Sequence, residues 1–110
     1  MKIAHLFDQD AVELSPQIYM QGFTGEKLMV THIVFEAGAF SAPHSHPHEQ
    51  LTVVLRGELR FTLGEETQIL RAGDAISIPS DIPHSAVAIT ETELLDVFTP
   101  VRDDLMAKLS

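Results

Sequence analysis

Glycine and proline interrupt this chain at short intervals, and the segments between them are apolar, β-branched and aromatic runs of strand length. These runs occupy residues 28–35, 51–56, 58–63, 67–70, 75–78, 85–89 and 94–98. Turn residues that recur about every 8–12 positions are typical of an antiparallel sandwich or barrel. Gly57 lies between two alternating runs and is interpreted as a hairpin turn. The pattern therefore predicts an all-β fold.

The last segment of the chain has the features of a helix instead. Asp103 and Asp104 lie at its start and Lys108 lies near its end, which is the charge order that a helix dipole favours. The chain has 110 residues, within the usual size of one domain. We therefore expect a single all-β domain over residues 1–110 that ends in one short C-terminal helix.

Composition and charge exclude several classes of function. The chain has 16 acidic and 7 basic residues, so most of its surface would repel nucleic acid and anionic membranes. It has no cysteine, which excludes disulfides, thiolate metal ligands and a cysteine nucleophile. No apolar run is long enough for a membrane span or a signal peptide, so we expect a cytoplasmic protein. A small anionic ligand stays compatible with this charge, because a metal ion and one or two arginines can dominate locally.

Three of the six histidines lie within five positions, in the segment Pro43-His44-Ser45-His46-Pro47-His48-Glu49-Gln50. Residues two apart in an extended chain point to the same face, so His44 and His46 would present two imidazoles to one side, and Gln50 has the same parity. His84 lies at the head of a later strand that could bring a third imidazole across. On spacing alone, a metal site and an exposed histidine-rich loop are both possible.

The remaining candidates near this segment have weaker support. His48 shares the parity of its neighbours but lies between Pro47 and Glu49, so we do not expect it among the ligands. Glu49 has the opposite parity and is expected at the surface or behind the ligands. His5 and His32 are expected to be structural or exposed.

The spacing of these residues resembles that of the cupin family. The first cupin motif is matched at Gly38, His44, His46, Gln50 and Gly57, with glutamine where the family usually has glutamate. The second motif is matched at Gly73, Pro79 and His84, with Asp81 in place of the usual glycine and Ala88 in place of the usual asparagine. Both motifs lie within residues 38–88. The resemblance implies a small jelly-roll β-barrel whose mouth holds a metal ion on His44, His46, Gln50 and His84.

The glutamine at position 50 has a chemical consequence for such a site. Three neutral imidazoles and one amide would leave a divalent transition metal ion with its full +2 charge. A more positive site favours anionic ligands and polarises an attached oxygen more strongly. Ni, Zn, Fe, Co, Cu and Mn all remain candidates, because imidazole ligands do not select among them.

A second set of candidates lies near the C-terminus, in Leu94-Leu95-Asp96-Val97-Phe98 and at Arg102. Asp96 and Phe98 share one face of a strand; if that face lines the barrel, Asp96 is desolvated and suited to proton transfer. The planar guanidinium of Arg102 suits bidentate binding of a carboxylate. The alternative is an edge strand with an exposed Asp96 and an arginine paired with Asp103 or Asp104.

These two segments together resemble the KdgF family of short cupins, over residues 28–105 or so. The resemblance implies linearisation of 4,5-unsaturated monouronates to 5-keto-4-deoxyuronate during pectin or alginate breakdown. It assigns catalytic and substrate-binding roles to Asp96, Phe98 and Arg102, and it implies a homodimer that binds a small anionic sugar. Another metal-dependent cupin enzyme, such as a dioxygenase or a sugar isomerase, and a non-catalytic sugar-binding cupin are the alternatives.

Overall fold

The computed structural model describes residues 1–109. A 3₁₀ turn at Leu6–Asp8 precedes ten strands and one helix. The strands are β1 Val12–Ser15, β2 Ile18–Thr24, β3 Met29–Phe35, β4 Phe40–His44, β5 Glu49–Arg56, β6 Glu58–Leu63, β7 Glu66–Arg71, β8 Ala75–Ile78, β9 His84–Ala88 and β10 Thr92–Thr99, and the helix is α1 Asp103–Leu109. The seven predicted runs correspond to β3 and β5 to β10, so the all-β prediction is confirmed.

The strands form two antiparallel sheets. One has six strands in the order β1-β2-β3-β10-β5-β8, and the other has four in the order β4-β9-β6-β7. The inner faces of both sheets supply the buried apolar residues, which include Ile18, Ile33, Leu59, Phe61 and Leu94. Two sheets that share one core in this way form the small jelly-roll barrel that the sequence predicted.

The interpretation of Gly57 as a hairpin turn is wrong. Strand β5 pairs with β8 and β10, whereas β6 pairs with β7 and β9, so the chain passes from one sheet to the other at Gly57. Gly57 has a φ of 92°, and a Cβ atom at this position would collide with the backbone oxygen of Glu91. Glycine is therefore required by a close crossing between the sheets.

Two rows of inward-facing residues bring the chemistry of the chain together. In the first row, Asp96 on β10 is paired with Thr31 on β3 and with Thr52 on β5. In the adjacent row, Phe98 on β10 is paired with Gln50 on β5. The register of β10 between its two neighbours thus places an acid, an amide and an aromatic ring side by side inside the barrel.

The predicted C-terminal helix is present as α1, with Asp103 and Asp104 in its first turn and Lys108 in its last. Leu105 is buried, and Leu109 packs against the core. Within residues 1–109, no helix has the length and apolar character needed to cross a membrane. The homodimer and the cytoplasmic location stay predictions.

Candidate metal centre and its cavity

Three imidazoles meet where β4 ends and β9 begins. His44 is the last residue of β4 and is paired with His84, the first residue of β9, while His46 lies in the connection that follows β4. The ring centroid of His84 is 4.3 Å from that of His44 and 5.0 Å from that of His46. Potential ligand atoms of the three residues all lie within 4.8 Å of one another. This spacing is suitable for one shared ion.

Each imidazole is oriented by a hydrogen bond to a backbone carbonyl two residues away along the chain. The Nδ1 atom of His44 lies 2.9 Å from the oxygen of Ala42, that of His46 lies 3.0 Å from the oxygen of His48, and that of His84 lies 2.9 Å from the oxygen of Ile82. A carbonyl only accepts, so Nδ1 carries the proton in each ring. The lone pair is therefore on Nε2, as is usual for histidines that bind metals.

The Nε2 atom of His84 is buried, and no hydrogen-bond partner for it lies among the described residues. Burial lowers the pKa of His84 and of His46, and the nearby Arg102 lowers the latter further. Both shifts favour the neutral form of the ring, which is the form that binds a metal ion. A buried, neutral nitrogen with a free lone pair fits a ligand and is costly otherwise.

The side chain of Gln50 completes this group. Its Oε1 atom lies 3.1 Å from Nε2 of His46, and its Nε2 atom donates to Thr52 and to Asp96. His46 therefore faces an acceptor at both ring nitrogens, which a neutral imidazole cannot satisfy. A cation bound by both His46 Nε2 and Gln50 Oε1 would remove this conflict, so the residues present fit a divalent transition metal ion.

Asp96 lies on β10, which is a central strand of the six-stranded sheet, so the alternative of an exposed edge-strand acid is wrong. Its Oδ1 atom accepts hydrogen bonds from Thr52 at 2.6 Å and from Gln50 at 3.0 Å. Burial raises the pKa of Asp96 to about 6, although these two hydrogen bonds and Arg102 act in the opposite direction. Asp96 is surrounded by protein and keeps part of its surface open to the cavity described below.

Arg102 lines the cavity and directly precedes the C-terminal helix α1. Its guanidinium carbon is 5.1 Å from the centroid of the Phe98 ring, and its side chain is 14% exposed. It also forms an ion pair with Asp104, with an N–O distance of 2.7 Å. The arginine–aspartate pair expected under the alternative interpretation is therefore present, but the same arginine also faces the cavity.

A cavity of about 250 Å³ connects these residues. Its polar lining includes His44, Gln50, His84, Asp96 and Arg102, and Phe98 contributes part of the apolar lining. This volume is slightly below the range of small-molecule sites, which begins at about 300 Å³. The cavity therefore suits one small polar molecule.

Comparison with known proteins is consistent with this geometry. The family model of the cupin domain matches residues 31–98. The chain belongs to the cupin family. An RmlC-like cupin from Shewanella frigidimarina superimposes with a TM-score of 0.90 at 27% identity, over 96% of both chains. KdgF from Halomonas sp. superimposes with a TM-score of 0.85 at 31% identity, over 90% of this chain and 93% of that one.

A more distant cupin enzyme shares the fold. An oxalate decarboxylase variant from Bacillus subtilis superimposes with a TM-score of 0.80 at 23% identity, over 90% of this chain and 30% of that one. No curated protein sequence matches the chain. The predicted resemblance to cupins, and to KdgF among them, is confirmed.

The cupin fold also explains the substitution at Asp81 in the second motif. Asp81 has a φ of 65°, in the left-handed region where glycine is the usual residue, and aspartate is one of the few others that tolerate it. Its backbone N–H donates to the carbonyl oxygen of His46 at 2.8 Å. The backbone of Asp81 thus holds the connection that contains His46. The sequence motif did not indicate this role.

The other histidines take different positions in this cupin. The His48 ring lies beside that of His46, with a centroid distance of 5.5 Å, but it is outside the group of three; its backbone oxygen is the part that contacts His46. Glu49 and His5 are exposed. His32 is buried and hydrogen-bonded on the outer face of β3, which agrees with the expected structural role.

Sequence reasoning missed several residues that line the cavity, among them Thr31, Thr52 and Lys108. Thr31 is fully buried, and its hydroxyl has no hydrogen-bond partner within residues 1–109. Threonines in alternating strands give no local signal of function. Their role becomes visible only through the register that places Asp96 between Thr31 and Thr52.

Proposed function

We propose that this cupin linearises 4,5-unsaturated monouronates to 5-keto-4-deoxyuronate. One observation carries the proposal: a three-histidine group, the Asp96 carboxyl and the Arg102 guanidinium are all arranged around one cavity. The similarity to KdgF from Halomonas sp. over 90% of this chain supports the same activity.

The substrate is a cyclic sugar acid that is both a hemiacetal and an enol ether. Linearisation removes the proton of the anomeric hydroxyl and breaks the bond between C1 and the ring oxygen, which leaves an aldehyde at C1 and an enolate at C5. Protonation at C4 converts the enolate to the ketone. The proton lost from oxygen is balanced by the one gained at carbon, so the reaction is an isomerisation without other reactants.

The chain supplies groups for each requirement of this reaction. Arg102 would bind the substrate carboxylate through its planar fork, and Phe98, on which Arg102 stacks, would restrict the pose of the ring. Asp96 would accept the hydroxyl proton or deliver the proton to C4, since it opens onto the same cavity. A divalent ion on His44, His46, His84 and Gln50 would supply Lewis-acid stabilisation of negative charge on a substrate oxygen.

The proposal is tested by mixing the purified protein with 4,5-unsaturated galacturonate. We expect the absorbance of the conjugated double bond to disappear faster than in buffer, and chelator to abolish this acceleration. Binding of the uronate without loss of absorbance would instead favour a non-catalytic sugar-binding cupin. Oxygen consumption with another substrate would favour a dioxygenase.

A further inference from the structure

The side-chain amide of Gln50 joins the imidazole group to Asp96. Its Oε1 atom lies 3.1 Å from Nε2 of His46, and its Nε2 atom donates to Oδ1 of Asp96 at 3.0 Å. The hydroxyl of Thr52 accepts from the same Nε2 atom at 3.0 Å and donates to Asp96 at 2.6 Å. A carboxylate only accepts, so the orientation of the amide between its two neighbours is fixed.

We propose that position 50 carries an amide because it must present an acceptor to the cation site and a donor to Asp96 at the same time. A glutamate, which the cupin motif usually has here, would be an acceptor at both ends when ionised. It would place its carboxylate beside that of Asp96 inside the barrel, where solvent screens the repulsion poorly. Glutamine in place of the usual glutamate therefore suits the contact with Asp96 as well as the cation site.

The pairing also orients the acid. Gln50 and Thr52 both donate to Oδ1 of Asp96, which leaves Oδ2 for a substrate proton. A cation bound to Oε1 would polarise the amide and strengthen its N–H donor, so the two hydrogen bonds and the ion site support one another. Gln50 is thus a positioning residue for Asp96, an inference that rests on the proposed function for the role of Asp96 in proton transfer.

The test exchanges the two functional groups and needs no turnover. Gln50→Glu, Asp96→Asn and the double variant are compared with the native protein by thermal unfolding at pH 8 after chelator treatment. We expect Gln50→Glu alone to lower Tm by roughly 5–10 °C. In the double variant, the new amide at position 96 donates to the new carboxylate at position 50 and restores the pair in reverse. We therefore expect the Tm of the double variant to lie within about 2 °C of that of Asp96→Asn alone.

Gln68→Glu is the matched control, because it makes the same change at an exposed position of β7. Its effect on Tm is expected to be the same in the native and Asp96→Asn backgrounds. If Gln50→Glu also lowers Tm by the same amount in the native and Asp96→Asn backgrounds, the two side chains are not coupled and the inference is wrong.

If Gln50→Glu does not fold, the double variant still decides. Its folding would support the pairing, and its failure to fold, while Asp96→Asn folds, would contradict it. If the native protein does not convert unsaturated uronates, the proposed function is wrong, but the non-additive effect of the two substitutions on Tm can still be observed. The two failures are therefore distinguishable.

Discussion

Buried histidines occur in two places in this protein, and the two differ in how their ring nitrogens are used. On the outer face of the six-stranded sheet, His32 has a partner at each nitrogen: Gln21 at 2.8 Å from Nδ1 and Glu93 at 2.6 Å from Nε2. Inside the barrel, the Nδ1 atoms of His46 and His84 donate to backbone carbonyls. The Nε2 atom of His84 has no partner within residues 1–109, and that of His46 lies 3.1 Å from Oε1 of Gln50, which is also an acceptor. Burial is similar in both places, with exposed fractions of 7% for His32, 8% for His46 and 4% for His84.

Burial alone therefore does not distinguish a histidine whose two ring nitrogens are occupied by protein groups from one that could bind a metal ion. Both ring nitrogens of His32 are occupied by protein groups, so neither faces an open site and the residue stabilises the fold. The environment of His84 satisfies one nitrogen and leaves the other for a group from outside the chain. Substitutions of His32 or of the inner histidines test whether the two places differ in this way.

Removal of a ligand from the inner group should have the largest effect. His84→Ala is expected to weaken stoichiometric Ni²⁺ or Zn²⁺ binding by at least about 100-fold, since loss of even an outer-shell partner costs about 10–100-fold. Turnover of the uronate should be lost with the metal. Isothermal titration calorimetry measures the binding, and His32→Ala is the control that should keep it. Equal affinity in both variants would remove the distinction between the two places.

Substitution of the acid should come next. Asp96→Asn keeps the shape of the side chain and one hydrogen-bond acceptor, so the protein should fold and bind metal. Because a positioned acid or base contributes about 10²–10⁴-fold, kcat for the uronate is expected to fall by about that factor. Asp10→Asn, at an exposed position, is the control. Normal kcat in Asp96→Asn would show that another group moves the proton.

Loss of the arginine should have an intermediate effect, mainly on KM. A hydrogen-bonded charge pair contributes about 1.5–3 kcal/mol, so Arg102→Ala is expected to lower kcat/KM by about 10–100-fold while metal binding is unchanged. Arg60→Ala removes an exposed arginine and should change neither value. A fall in kcat with an unchanged KM would contradict a role of Arg102 in binding the substrate carboxylate.

The sequence predicted those parts of the fold that depend on local patterns. Alternation identified seven of the strands, but not β1, β2 or β4. Strand β4 contains Pro43 and is mostly exposed, so it lacks an apolar pattern. The apolar pattern of strand β2 is interrupted by Gly22, which packs beside the terminal methyl group of Leu109 in α1. This neighbour lies at the other end of the chain, so no local pattern could have predicted the contact.

In the candidate site, too, local patterns predicted some contacts and missed those that depend on strand pairing. Spacing and motif placed His44, His46 and Gln50 near one another, and the motif added His84. The contact between Gln50 and Asp96 could not be predicted, because it depends on the register of β10 against β5. The position of His46 also depends on long-range contact: β4 ends at His44, and the backbone of Asp81 holds the next turn. Strand alternation therefore predicted that His44 and His46 lie together, although β4 ends before His46.

On the other side of the comparison, His32→Ala should change stability and leave the site intact. The substitution leaves Gln21 and the partly buried Glu93 without their ring partners, so the free energy of unfolding should fall by about 1–3 kcal/mol. Denaturant unfolding of the chelator-treated protein measures this change, and the exposed His5→Ala is the control. Loss of metal binding in His32→Ala would mean that the two places are coupled, against the distinction drawn above.

The smallest effect concerns the acid that contacts His32. Hydrogen bonds from Arg56 and from His32 lower the pKa of Glu93 from its ordinary value of 4.5. A carboxyl whose pKa is lower in the folded state stabilises the fold fully above its unfolded pKa, and this contribution is lost as pH falls through the lower, folded value. The Tm difference between the native protein and Glu93→Gln should therefore be constant from neutral pH to about pH 5 and shrink at more acidic pH. The exposed Glu66→Gln is the control, and its Tm difference from the native protein should not change with pH. If the Tm difference for Glu93→Gln stays the same in strong acid, the charge of Glu93 does not contribute to stability and only its hydrogen bonds hold His32 in place.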